Sequence, residues 1–348
     1  MNIISHECFE SVIINTPLDI YPCDDVVILE DCYVDGRSGL VGLSDGTIVP
    51  QSIIEYLWWN PRWIEGEKNF NSSPSDLFLS RLGLAKIFFD SRKNTKKHIQ
   101  LDANTTYLNL LHPFGQYSYG HLYDSLSKLE IVDRANFKFN HLTAIVSDPK
   151  KIIDFDKHFN VLVNSKMPYI SNRGSWDEDG FCFYFCPRMV IIKPQSRPAN
   201  FTKLAYEFIY STFLSHFEPS KDDFNKKLFL ARINDPSYGR FISNFSEISS
   251  YLESNKIKIL YGDETLEDIY RFFYNATHIS GYHGSLFANT MFSSSECKIH
   301  EFCSNKRVDY SFMMKLKKAH DYKVQLVESD ESNNAAIDLI DLDNFYKT

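Results

Sequence analysis

The segment Gly281-Tyr282-His283-Gly284-Ser285-Leu286-Phe287-Ala288-Asn289 holds the residue types and spacing best suited to binding chemistry. Two glycines bracket a histidine, and a serine then opens a helical pattern, directly after the short strand THIS (277–280). Glycine permits positive φ and close backbone approach. The amides of a helix's first turn lack intrahelical partners, and with the helix dipole they suit a phosphate. A tight strand-to-helix turn capped by Ser285 is the competing reading.

Arg232 ends the apolar strand LFLAR (228–232) and Arg240 precedes the next helical stretch, so both are expected at one sheet edge. Two guanidinium groups there can chelate a diphosphate, whose charge a metal must otherwise balance. A pair of surface arginines is the alternative. Glu301 ends the strand KIHEF (298–302) at the same edge, where a carboxylate can accept both ribose hydroxyls. It can equally be a capping or ion-paired acid. In the N-terminal half, HPFGQYSYGHLYDSL (112–126) sets His121 and Asp124 about one helical turn apart. A histidine there can take a proton from an acceptor hydroxyl, with Asp124 next in line and His112 a competitor. A metallohydrolase built on His112, His121, Asp124 and His283 stays open, and it predicts sensitivity to chelators.

The elements that must position these residues are clearest in the C-terminal half. Apolar periodicity predicts helices over 203–217, 241–254, 266–276, from Ser285, and over 309–319. Strands are predicted at 228–232, 257–261, 277–280, 298–302 and 322–327. Short strands alternating with helices describe βαβ units and a parallel sheet, whose ligands bind beyond the carboxyl ends of the strands. The N-terminal half also reads as α/β. It shows a strand at 26–30, a hairpin at 39–51 around Asp45-Gly46, strands at 106–111 and 142–148, and helices at 121–132 and 150–158. KPQSRPAN (193–200), with two prolines, reads as a linker. Domains are therefore expected at 1–195, on the acceptor side, and 196–348, on the nucleotide side. Packing of the last helix back on the N-terminal domain is one expected arrangement. LWWNPRW (57–63) and the tyrosines of 117–123 offer either a sugar-stacking surface or core packing.

Composition narrows the class. A net charge of −8 argues against a general nucleic-acid binder. Seven cysteines show no CxxC pair and no zinc spacing, and Cys182 and Cys186 in FCFYFCP read as buried strand thiols. No stretch approaches the roughly 18 apolar residues of a membrane span, and the N-terminus lacks the pattern of a signal peptide. The expected location is the cytoplasm, with the inner face of the membrane a secondary possibility. Asp154-Phe155-Asp156 and Asp341-Leu342-Asp343 fall in helical or terminal contexts, not after an apolar strand. Neither a GxGxxG nor a GxxxxGK[ST] run is present, which lowers dehydrogenase and P-loop readings.

Taken in order, YGHLYDSL (119–126), FLAR with Arg240 and Asn244, ETLEDIYRFFYNATHISGYHGSLFANTMF (264–292) and IHEF (299–302) resemble glycosyltransferase family 61. The resemblance implies a GT-B fold, two Rossmann-like domains facing across a cleft, and inverting transfer without an essential metal or other cofactor. It implies His121 in the N-terminal cleft and Arg232, His283 and Glu301 around the donor, joined here by Arg240, Gly281, Gly284, Ser285 and Asn289. The partners it implies are a nucleotide-sugar, UDP-sugars first, and a glycan or glycolipid acceptor. Capsule or lipopolysaccharide synthesis, with peripheral association with a membrane or other biosynthetic enzymes, is the expected setting. Two departures stand out: the family's HGAGL-like run reads His283-Gly284-Ser285-Leu286-Phe287 here, with bulky side chains after Ser285, and the first 100 residues carry no recognised motif. A transferase of another nucleotide-activated group, such as a polyol phosphate, and a non-catalytic nucleotide-sugar or carbohydrate-binding protein are the alternatives.

Overall fold

The computed structural model describes residues 26–36, 38–49, 52, 86–87, 89–90, 93–94, 97–111, 126–135, 137–147, 157, 160–164, 166–172, 182–192, 203–217, 226–232, 241–306, 316 and 319–348. The chain divides into two compact units. One holds Glu7–Ile152 and Phe159–Ser196, the other Arg197–Thr348 and the segment Ile153–His158.

The N-terminal unit is built on strands β1 (Val26–Asp35), β2 (Val41–Leu43), β3 (Lys97–Gln100), β4 (Thr106–Leu110), β5 (Leu142–Ser147), β6 (Tyr169–Asn172) and β7 (Cys182–Ile192), with helix α1 (Lys128–Arg134). They form one sheet in the order β2-β1-β7-β4-β5-β6, with β3 also on β7. The segment β7-β4-β5-β6 is parallel, and β1 and β2 add an antiparallel edge. Strand β7 hands its ladder from β3, opposite Cys182–Phe185, to β4, opposite Met189 and Val190. Pro187, which has no amide hydrogen, falls between the two stretches, where a strand can lose a ladder bond most cheaply. The hairpin around Asp45-Gly46 forms: Leu43 N donates to Thr47 O at 2.8 Å, and Gly46 takes φ +82°. Cys186 is fully buried opposite the equally buried Cys32, while Cys182 is half-buried at the strand's start. A hydrogen bond with Cys32, together with burial, pushes the Cys186 thiol far above its usual range.

The C-terminal unit runs α2 (Lys203–Phe217), β8 (Lys227–Leu230), α3 (Phe245–Ser254), β9 (Lys258–Leu260), α4 (Leu266–Asn275), β10 (His278–Tyr282), a 3-10 helix (Ser285–Phe292), β11 (Lys298–Ser304), β12 (Asp321–Val327) and α5 (Leu339–Tyr346). Its five strands are all parallel, in the order β12-β11-β10-β8-β9. The chain starts at β8, steps outward to β9, then crosses back to β10 on the other side of β8. That reversal puts the topological switch point between β8 and β10, where doubly wound sheets open a crevice at the strands' carboxyl ends.

One face of this sheet packs on α3 and α5 through Phe229, Ile248, Leu252, Tyr282, Phe302, Leu342 and Tyr346. Toward α2, α4 and the 3-10 helix, Phe213, Phe217, Tyr270 and Phe292 meet ring to ring at 4.5–6.0 Å. Thr265 caps α4 by accepting from Asp268 N at 3.2 Å, which accounts for the helix start in ETLED. The last helix packs on the sheet of its own unit. It is sewn to its own sheet by Tyr346, whose hydroxyl donates to Leu228 O at 2.6 Å, and by Lys227 Nζ, which donates to Tyr346 O at 2.5 Å. An apolar helical stripe says only that a helix needs a partner, not which one.

The helices expected at 150–158 and 309–319, LWWNPRW and the 193–200 linker lie largely or wholly outside the described residues, as do residues 121–125 of the helix expected at 121–132. Among the described residues no helix is long and apolar enough to cross a membrane.

Candidate functional site

Arg232 follows β8 by two residues and is half-buried, and the turn after β10 begins at His283. These two strands flank the switch point. Arg232 Nη1 donates to His283 O at 2.9 Å, so the guanidinium is tethered to the turn across that point. His283 is held from two further sides. Its backbone N–H donates to Phe302 O at 2.8 Å, and its Nδ1 lies 2.6 Å from Glu301 Oε1.

The glycines act differently from the expectation. Neither Gly281 nor Gly284 has a positive φ; Gly284 is extended at φ −175°. Gly281 is needed for close approach instead, because a Cβ there would stand 2.4 Å from Leu230 O on the neighbouring strand. At Gly284 a Cβ would meet only ordinary contacts, Arg232 Nη1 and Tyr282 O at 3.7 Å. The helix opening at exposed Ser285 is 3-10, not α, with Phe287 N donating to Gly284 O at 3.1 Å. Gly284 rather than Ser285 occupies the cap position, and no side chain caps the helix.

Glu301 and Asn289 are both fully buried. Both Glu301 oxygens are engaged, Oε1 by His283 and Oε2 by the Tyr322 hydroxyl at 2.9 Å. A carboxylate so placed does not present itself to a ribose, so the role expected of Glu301 gives way to one beneath the turn. Asn289 is among the buried residues of the 3-10 helix. Phe287 is also fully buried, with its ring 6.3 Å from that of Tyr322. Tyr322 was missed from sequence. Its apolar-polar alternation in YKVQLV signals an inward strand residue, but only the β11–β12 pairing brings its hydroxyl to Glu301.

The neighbouring loop ends close the frame. Glu264 accepts from Tyr261 N and Gly262 N, each at 2.8 Å, and Gly262 lies against Leu286 of the turn. Phe241, directly after Arg240, donates its N–H to Asn334 Oδ1 at 3.1 Å, and Ile242 bridges Ala335. Arg240 itself, His112, His121 and Asp124 lie outside the described residues.

The site thus places a guanidinium, an imidazole and a half-exposed backbone turn at the switch point of a parallel sheet, an arrangement suited to an anionic ligand. Comparison with known families agrees with it. The model of the family described as Glycosyltransferase 61 matches residues 77–300, well over half of the chain. The chain belongs to glycosyltransferase family 61. The match includes Arg232, the His283 turn and the helix and strand that flank it, and it extends back through the 112–126 segment. No curated protein matches the chain.

Proposed function

We propose that this family 61 glycosyltransferase is an inverting GT-B enzyme that moves a sugar from a nucleotide-sugar, a UDP-sugar first, to a hydroxyl of a glycan or glycolipid acceptor. One observation carries the reading: Arg232, at the end of β8, is tethered to the His283 carbonyl after β10, beside the accessible turn at Gly284 and Ser285. In this mechanism the acceptor oxygen attacks the anomeric carbon as the bond from that carbon to the phosphate oxygen breaks, with inversion. His121 removes the acceptor proton, with Asp124 as the alternative base. Arg232, Arg240 and the Gly284–Ser285 amides stabilise the charge that collects on the departing diphosphate. In this reading the two guanidinium groups take the place of an essential metal. Synthesis of a surface polysaccharide, at or near the inner face of a membrane, is the setting the reading favours.

The test is a thermal-shift screen with UDP, GDP, CMP, UDP-sugars and NAD, each with EDTA and with Mg²⁺. A ligand at 100 times its Kd stabilises the folded state by about 2.7 kcal/mol. The reading expects one nucleotide series to shift the melt equally in both conditions, and Arg232→Ala to abolish the shift. His121→Ala should keep donor binding and lose roughly two to four orders of magnitude in turnover. A shift that needs Mg²⁺ would replace the metal-free mechanism, and no shift with any nucleotide would remove the donor site.

A further inference from the structure

Glu301 is the only fully buried carboxylate among the described residues of the C-terminal unit. Withdrawing a carboxylate from water is costly unless charge and hydrogen bonds compensate. Here Oε2 accepts from the Tyr322 hydroxyl at 2.9 Å and Oε1 lies 2.6 Å from His283 Nδ1. A carboxylate at that distance favours the charged form of an imidazole. Arg232 acts in the opposite sense, because its guanidinium sits on the carbonyl of the same histidine and like charges disfavour one another. The charged and titratable groups facing His283 include Arg232 from the end of β8, Glu301 from β11, and Tyr322 on β12 behind Glu301.

We propose that Glu301, braced by Tyr322, is a positioning residue that keeps His283 a cation, so that His283 and Arg232 together present two positive charges to a nucleoside diphosphate. This inference rests on the donor-site reading above and assigns Glu301 a role that does not require contact with the ligand. Since Nδ1 is committed to Glu301, proton exchange at this imidazole runs through Nε2. As the anomeric bond breaks, the departing phosphate oxygen gains negative charge, which the imidazolium offsets while it keeps its Nε2 proton.

The experiment uses the full-length protein in EDTA. Binding of UDP and GDP, and of uridine and guanosine as controls, is measured by titration calorimetry at pH 6 and pH 8 for wild type and Glu301→Gln. The ratio of the two affinities at each pH cancels the ligand's own titration. The expected result is a loss of about 10- to 100-fold in nucleoside diphosphate affinity for Glu301→Gln at pH 8. The loss should be small at pH 6, where imidazole protonates unaided, and nucleoside binding should not change at either pH. A second measurement needs no substitution to fold: imidazole ¹⁵N shifts of histidine-labelled wild type at pH 7.5, with His283 assigned by His283→Gln. Both ring nitrogens should be protonated. A neutral His283 ring, or an affinity ratio that does not change with pH, overturns the inference while diphosphate binding leaves the donor site standing. Wild type that binds neither diphosphate overturns both.

Discussion

Gly281 and Gly284 stand three residues apart and owe their identity to different constraints. At Gly281 the neighbouring strand leaves no room, a Cβ standing 2.4 Å from Leu230 O and 2.9 Å from Leu230 Cβ. Gly281→Ala must push β10 away from β8 at the switch point, an overpacking cost of about 1–3 kcal/mol. At Gly284 the backbone is extended and open, so Gly284→Ala should leave the urea midpoint nearly unchanged. Its methyl group would instead stand beside Arg232 Nη1, so the substitution should weaken nucleotide binding without unfolding the protein. Equal destabilisation by both substitutions in urea melts would refute this separation. The sequence motif shows both glycines alike; only the neighbouring strand tells them apart.

At the scale of elements, two contacts are expected to differ measurably in worth. The Thr265 cap of α4 is exposed, and Thr265→Ala should cost about 1 kcal/mol. Tyr346 lies at the buried end of α5, with its hydroxyl on Leu228 O in the first strand of the parallel sheet. Tyr346→Phe leaves that carbonyl without its donor in a dry site and should cost about 1–3 kcal/mol. Urea unfolding of the two variants gives the ranking, and an inert Tyr346→Phe would mean that the hydroxyl bond to Leu228 O adds nothing to the docking of α5. The cap was legible as Thr265 followed three residues later by Asp268. The α5 docking was not, because it depends on which strand end the last helix reaches.

For the whole molecule, stability should fall in mild acid. Burial lowers the His300 and His320 imidazoles to about 4, and the His320 ring lies edge-on to Tyr206 with its centroid 5.1 Å away. Their folded values lie below the ordinary 6.5, so the unfolded chain takes up protons first. The stabilisation is complete above about pH 6.5, is lost as pH falls, and stops changing below about 4. At 1.36 kcal/mol per unit, each ring contributes at most about 3 kcal/mol, and His300 less because it is partly exposed. Urea melts from pH 7 to pH 4 should show the decline, and His320→Phe should flatten part of it. An unchanged slope in that variant would show that His320 does not titrate on unfolding.

Period and composition were enough to determine the α/β class, the parallel C-terminal sheet and the turn that carries His283. Those features follow from local rules: apolar runs of strand length, helical spacing between them, and a glycine-bearing junction at a strand's carboxyl end. Arg232 was legible for the same reason, since a residue that ends a parallel strand lies at the crevice edge wherever that strand sits. Strand order, register and the direction of buried side chains were decided only by tertiary structure. Sequence placed Glu301 near the end of its strand, whereas β11 runs on to Ser304, and it could not show that β12 lies beside β11, with Tyr322 able to reach its carboxylate. Nor could it show that Leu230 crowds Gly281, or that the helix after Ser285 winds as 3-10. The physical reason is that an edge position depends on one strand alone, whereas a buried charge is settled by which strands are its neighbours and how closely they approach.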